Sequence, residues 1–225
     1  MTSHRNKDNT RERLLVAAAS VFESQGYGQA RLTDICRAVG VTKGALYCHF
    51  PSKEALALAL LEKQAGVWHR QAASVRLRQP SEPYRLQDLI DVTYAVLADL
   101  RQDPVARAAH RVLFQDRVFD LVGGMQVVSC VTLVRDMLHE AQHHGELRRD
   151  VDLREAAEGI VGSVIGVRVL SRAMCDYEDV TERLETMWRM WVTLLAVPTC
   201  RAALRVGALH AAMAPHGLSG DAPRD

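Results

Sequence analysis

LTDICRAVGVTKGALYCHF, residues 32–50, carries two short helix signals around a tight turn. Thr33 can N-cap the first helix, and Asp34 then sits in its first turn, where a carboxylate suits the helix dipole. Ile35, Ala38 and Val39 give that helix an apolar side, and Gly40 ends it as a C-cap glycine does. Val41 fills the corner, and Thr42 N-caps a second helix starting at Lys43. Two capped helices joined by a glycine-containing turn form a helix-turn-helix pattern. Ala45, Leu46 and Phe50 can anchor the second helix inward, which turns Lys43, Gly44, Tyr47 and His49 outward. A cation, a bare backbone, a phenol and an imidazole make a surface that suits the close approach of a nucleic acid.

The flanking sequence extends this pattern into an all-α chain. Residues 1–8 read as a frayed end, and Thr10 to Gln25 follow a helical period with Leu14, Leu15, Ala18, Val21 and Phe22 on one stripe. Pro51 forces Phe50 out of helical geometry, and Ser52 N-caps a helix that the apolar spacing carries from Lys53 to about Arg78. Gln79-Pro80-Ser81-Glu82-Pro83 is the clearest break in the chain. Beyond it the segments Tyr84–Arg101, Pro104–Phe119, Gln126–His144, Leu153–Cys175 and Val180–Ala214, the last interrupted at Pro198, all read helical, and no stretch reads as a strand. The expected organisation is a three-helix helix-turn-helix DNA-binding domain over 1–52 and a helical bundle for ligand binding and dimerisation over 53–214. Within the bundle 53–78 is a connecting helix, and 215–225 is a disordered tail.

Composition narrows the function classes. The chain has 225 residues, 48% hydrophobic and 24% charged, an ordinary balance for a globular protein. No apolar run is long enough to cross a membrane and the polar N-terminus lacks a signal-peptide core, so a cytoplasmic protein is expected. The five cysteines are scattered without a CxxC pair, which points away from a zinc ribbon or disulfide framework. Net charge is +1, yet residues 1–60 carry 8 Lys/Arg against 5 Asp/Glu and the remainder 20 against 22. A basic first quarter on a slightly acidic body places contact with a polyanion in that quarter.

As a DNA reader, the second helix of the motif would lie in the major groove, with Lys43 donating to guanine and Gly44 letting the backbone approach. Tyr47 can bond a phosphate or touch a thymine methyl, and Thr33, Thr42, His49 and Lys53 are placed for phosphate contacts. The segment from Thr10 to about Leu60 resembles the DNA-binding domain of the tetracycline-repressor (TetR) family, and VTKGALYCHFPSKEALA, residues 41–57, is its most recognisable stretch. The resemblance implies the same residues as DNA contacts, with Cys48 standing where the family commonly has Phe. HFPSKEALALALLE (49–62), GELRRDVD (145–152), GVRVLS (166–171) and Trp188 ahead of Val197-Pro198 further resemble the gamma-butyrolactone-receptor-like subgroup.

That subgroup resemblance implies a homodimeric repressor of a palindromic operator, released by a small apolar signalling molecule. Cys130 stands where the subgroup places a Trp over the ligand ring, and Ile165 where a polar residue often precedes the helix glycine. The subgroup implies a gamma-butyrolactone, and these departures are compatible with a related furan, a butenolide or a larger antibiotic-like ligand, or with a pseudo-receptor. Gln64 on the connecting helix, Phe114, Phe119, Val134, Arg168 and Trp188 are the other candidate ligand contacts. Gly159, Gly162 and Gly166 in one helix cost about 1 kcal/mol each and so require a close neighbour or a ligand. The Leu184, Met187, Trp188, Trp191, Leu195 stripe on the next helix reads as core or as a dimer face, with the last two long helices pairing between subunits.

No catalytic residues, cofactor or metal centre are expected. The rival enzymatic reading rests on His139-Glu140-Ala141-Gln142-His143, which matches the zinc-hydrolase pattern H-E-x-x-H. It lacks the third protein ligand that catalytic zinc needs, and its histidines also suit a solvated helix C-terminus.

Overall fold

A computed structural model describes residues 2–78, 83–113 and 123–207. Its helices are α1 (Thr2–Gln25), α2 (Leu32–Val39), α3 (Lys43–Tyr47), α4 (Lys53–Gln64), α5 (Val67–Arg78) and α6 (Arg85–Gln102). They continue as α7 (Pro104–Leu113), α8 (Gly124–His143), α9 (Leu153–Cys175), α10 (Val180–Leu195) and α11 (Pro198–Ala203). The all-α class holds, and among the described residues the sole β pairing is an isolated bridge, Leu147 with Ala196. The tail 215–225 lies outside the described residues. The helix α1 begins at Thr2, so the expected fraying over 1–8 is not seen.

The chain divides into two compact units, Met1–Arg70 with Ala98–Leu133, and Gln71–Leu97 with Val134–Asp225. In the first, Leu14, Leu15, Ala18 and Phe22 of α1 meet Ile35 of α2, Leu46 of α3, Phe50, and Leu56 and Leu60 of α4 in one apolar core. Val105, Ala108, Ala109 and Val112 of α7 complete that core. An ion pair from Arg107 to Glu23 ties α7 to α1.

The connecting helix expected over 53–78 is instead two helices. Ala65 leaves helical geometry at ψ 138, and Gly66 takes φ +71, a left-handed conformation suited to glycine. The Arg70 guanidinium caps the freed carbonyl of Ala65 at 2.6 Å, so the break is braced as well as permitted.

In the second unit, the part of α6 up to Leu97 is bonded from several sides. Its N-terminus is capped from 60 residues away, because the Glu146 carboxylate accepts the N–H groups of Arg85 and Leu86, each at 2.8 Å. Midway, Thr93 accepts the Trp188 indole N–H at 2.7 Å and donates to Ile90 O at 2.7 Å. On a third side, Gln87 pairs with both backbone groups of Arg205, and the Tyr94 hydroxyl donates to Val206 O. Residues 204–206 therefore lie along α6, and the helix expected to run to Ala214 stops at Ala203.

Glu146 belongs to the GELRRDVD stretch, whose main chain pairs with the end of α10: Arg148 N–H donates to Leu195 O and Val197 N–H to Glu146 O, each at 2.9 Å. The α9–α10 corner is held by Asp179, which accepts from Ser171 and Arg183, each at 2.6 Å. The hydrogen bond from Arg183 holds its carboxyl well below the usual carboxylate range.

Candidate nucleic-acid interface

The helix-turn-helix forms around the residues that cap it. Gly40 sits at φ +75 and directs its N–H to the carbonyls of Cys36 and Arg37, ending α2. Arg13 of α1 reaches across to the Val39 carbonyl at 2.8 Å, fixing that end of α2 to the core. Thr42 caps α3 by accepting the Ala45 N–H at 3.2 Å, and Ser52 caps α4 by accepting the Ala55 N–H at 3.1 Å. Leu46 and Phe50 are buried, and Arg11 stands over the Phe50 ring at 5.0 Å.

This anchoring leaves Thr42, Lys43 and Gly44 exposed and Tyr47 half exposed at 50%, with Cys48 also exposed and Thr33 and His49 half-buried. A Cβ placed on Gly44 would meet just the Thr42 hydroxyl at 3.8 Å, an ordinary contact. The fold therefore has no need of glycine at this helical position.

Two expectations change. Thr33 is not an N-cap: α2 starts at Leu32 and Arg31 occupies the cap position, its side chain exposed and capping nothing. Lys53 is not poised for phosphate. Its ammonium donates to the carbonyls of Tyr27 at 2.8 Å, Gly28 at 3.2 Å and Ala30 at 3.2 Å, and lies 4.7 Å from the Tyr27 ring centroid. Three protons are committed to three acceptors, so the residue clamps the α1–α2 turn to the start of α4. Arg31 is thus an exposed cation at the N-terminus of α2.

The expected ligand contacts fall in different places. Gln64 and Cys130 are half-buried residues of the first unit. Val134, Ile165, Arg168 and Trp188 belong to the second unit, with Ile165 half-buried and the other three buried. Phe114 and Phe119 lie outside the described residues. Trp188 is fully buried with its indole N–H given to Thr93, so it is a core residue with no donor left for a ligand. Of the three helix glycines, Gly159 is explained: a Cβ there would come within 2.5 Å of the Trp191 ring, whose indole N–H bonds Ser163 at 3.1 Å. In the HEAQH stretch, Glu140 is paired with Arg76 at 2.6 Å, while His139 and His143 are exposed.

A capped helix pair that presents a cation, a bare backbone and a phenol from a braced core defines a helix-turn-helix DNA-binding protein. Residues 14–60 match the family described as bacterial regulatory proteins, tetR family, and residues 84–198 match the tetracyclin repressor-like C-terminal domain. The chain belongs to the TetR family of transcriptional regulators. It is 35% identical over 182 residues to the A-factor receptor protein of Streptomyces griseus, a match covering 81% of this chain and 62% of that protein, less than two thirds of its length. Among solved structures it resembles a gamma-butyrolactone receptor described as ArpA-like, at TM-score 0.73 and 30% identity over 88% of this chain and 93% of that one. It also resembles the TetR family protein CprB from Streptomyces coelicolor in complex with its biological operator sequence, at TM-score 0.73 and 31% identity, covering 87% and 92% of the two chains. The chain is thus a TetR-type DNA-binding regulator related to the gamma-butyrolactone receptors, and these relatives are regulators rather than enzymes. Among the described residues no helix is long and apolar enough to cross a membrane.

Proposed function

We propose that this chain is a ligand-responsive repressor that binds an inverted-repeat operator in the cytoplasm as a homodimer and leaves it when a small signalling molecule binds. The observation that carries the DNA contact is Gly44. Glycine is a poorer helix former than alanine, and here the fold gives no reason to keep it. A partner that must approach the backbone gives one, and the flanking Lys43 and Tyr47 mark that partner as DNA. Thr33, Thr42 and His49 are assigned to phosphates, and Arg31 takes the phosphate role that Lys53 gives up.

The homodimer is supported by an apolar face on the late helices. Leu170 and Met174 of α9 and Met190 and Leu194 of α10 are more than half exposed, and a Cβ on Gly162 or Gly166 would meet nothing within 4 Å. Pairing α9 and α10 with a second copy would cover this face and set two reading helices at the spacing of an inverted repeat. The ligand class, a gamma-butyrolactone, furan or butenolide, is supported by the receptors the chain resembles. Val134, Ile165 and Arg168, all in the second unit, are the contacts assigned to the ligand. Cys130 and Ile165 favour the second reading, a pseudo-receptor that answers an antibiotic or no ligand.

A gel shift on the operator, repeated with a panel of lactones, furans, butenolides and antibiotics, separates the two. Release by one of the first three classes supports the receptor; release by an antibiotic alone, or by none, leaves the pseudo-receptor. The roles within the reading head separate by salt. Arg31→Ala is expected to weaken all DNA alike and to flatten the dependence of log K on log salt by about one. Lys43→Ala is expected to lose about 1–3 kcal/mol of discrimination at one base position. Identical losses for both, on operator and random duplex, would contradict the assignment.

A further inference from the structure

The HEAQH stretch is left over from the DNA-binding account. His139 and His143 are four residues apart in α8 and both are exposed. Positions i and i+4 of a helix share a face, with Cβ atoms about 5–6 Å apart. The neighbouring groups are otherwise engaged. Glu140 is held by Arg76 at 2.6 Å, and the His144 ring bonds back through Nδ1 to the Glu140 carbonyl at 2.8 Å. The His143 and His144 rings lie edge to face with centroids 6.1 Å apart. Among the described residues no three His, Cys, Asp or Glu side chains gather as a metal site, so neither a closed structural zinc site nor a three-ligand catalytic one is available.

What remains is a pair of imidazoles on consecutive turns of a formed helix. We propose that His139 and His143 chelate one divalent transition metal ion, with water completing its coordination. Imidazole nitrogen suits Zn2+, Ni2+ and Cu2+, whereas Mg2+ and Ca2+ seek oxygen. The helix supplies the preorganisation, since both ligands are already on one face and little chain entropy is lost on binding. The chelate also has a structural consequence. It spans the last turn of α8, which leads through Gly145 directly into Glu146, the residue that caps α6. A metal bound to the folded helix and not to the unfolded chain stabilises the fold by mass action.

The test is titration of the full-length, untagged protein with Zn2+, followed by calorimetry and thermal melting. One saturable Zn2+ site per chain is expected, with a melting temperature that rises with Zn2+, returns on adding chelator and ignores Mg2+. His139→Gln and His143→Gln should each weaken binding by about a hundredfold or more, because two-point chelation becomes one-point attachment. His144→Gln should bind as the parent does. The proposal is overturned if the parent shows no saturable site, if the His139 and His143 variants bind Zn2+ like the parent, or if His144→Gln loses as much as they do.

Discussion

Replacing Glu146 with alanine is expected to cost about 3 kcal/mol of stability, among the largest losses any single polar substitution in this chain should produce. The carboxylate is 3% exposed, and each of its oxygens accepts one of the first N–H groups of α6 at 2.8 Å. Alanine would leave both donors without a partner and remove a negative charge from the positive end of the helix dipole. For a chain of this length the loss corresponds to a fall in melting temperature of roughly 6–12 °C. Glu146→Gln separates the parts of the effect. It keeps one acceptor oxygen but turns an amide donor toward the other N–H and loses the charge, so it should fall between parent and alanine. Thermal or urea melts of the three proteins check this, and a Glu146→Ala protein as stable as the parent would remove the cap from the account.

Lys53→Met is expected to cost about 1.5–3 kcal/mol, the range for hydrogen bonds to a charged group. Methionine keeps the length of the stem and removes the ammonium that holds the carbonyls of Tyr27, Gly28 and Ala30. The informative comparison is with Arg31→Ala. Below its melting transition the Lys53→Met protein should keep the parent's salt slope for DNA, because no phosphate contact is lost. Arg31→Ala should keep the parent's stability and lower the slope. A lowered slope for Lys53→Met, with unchanged melting, would return that lysine to the phosphate backbone.

Both residues show where the sequence stops being legible. The turn of the reading head and its caps other than the N-cap of α2 were readable because they are local. Gly40, Thr42 and Ser52 each act on groups within four residues of themselves. Helix α9 was readable end to end, Leu153 to Cys175, from its apolar period. The roles of Lys53 and Glu146 depend on backbone groups 23–26 and 60–61 residues away, and no periodicity reports such a pairing.

The break at Gly66 is an intermediate case. A lone glycine inside an apolar helical period was visible, but such a residue is tolerated in many helices. Its positive φ and the Arg70 brace decide it here. Trp188 is a case of another kind: an aromatic at helical spacing has the same pattern in a core as over a ligand, and no periodicity reports its hydrogen bond to Thr93.

The central claim is that α2 and α3 read DNA as one half of a symmetric pair. Its most direct test is selection of bound duplexes from a randomised library by the purified protein at physiological salt. The account predicts enrichment of an inverted repeat whose half-sites are centred about one helical turn apart, or a multiple of it, with Lys43→Ala blurring one position in each half. Recovery of no sequence above random, or of an unrepeated single site, would contradict it.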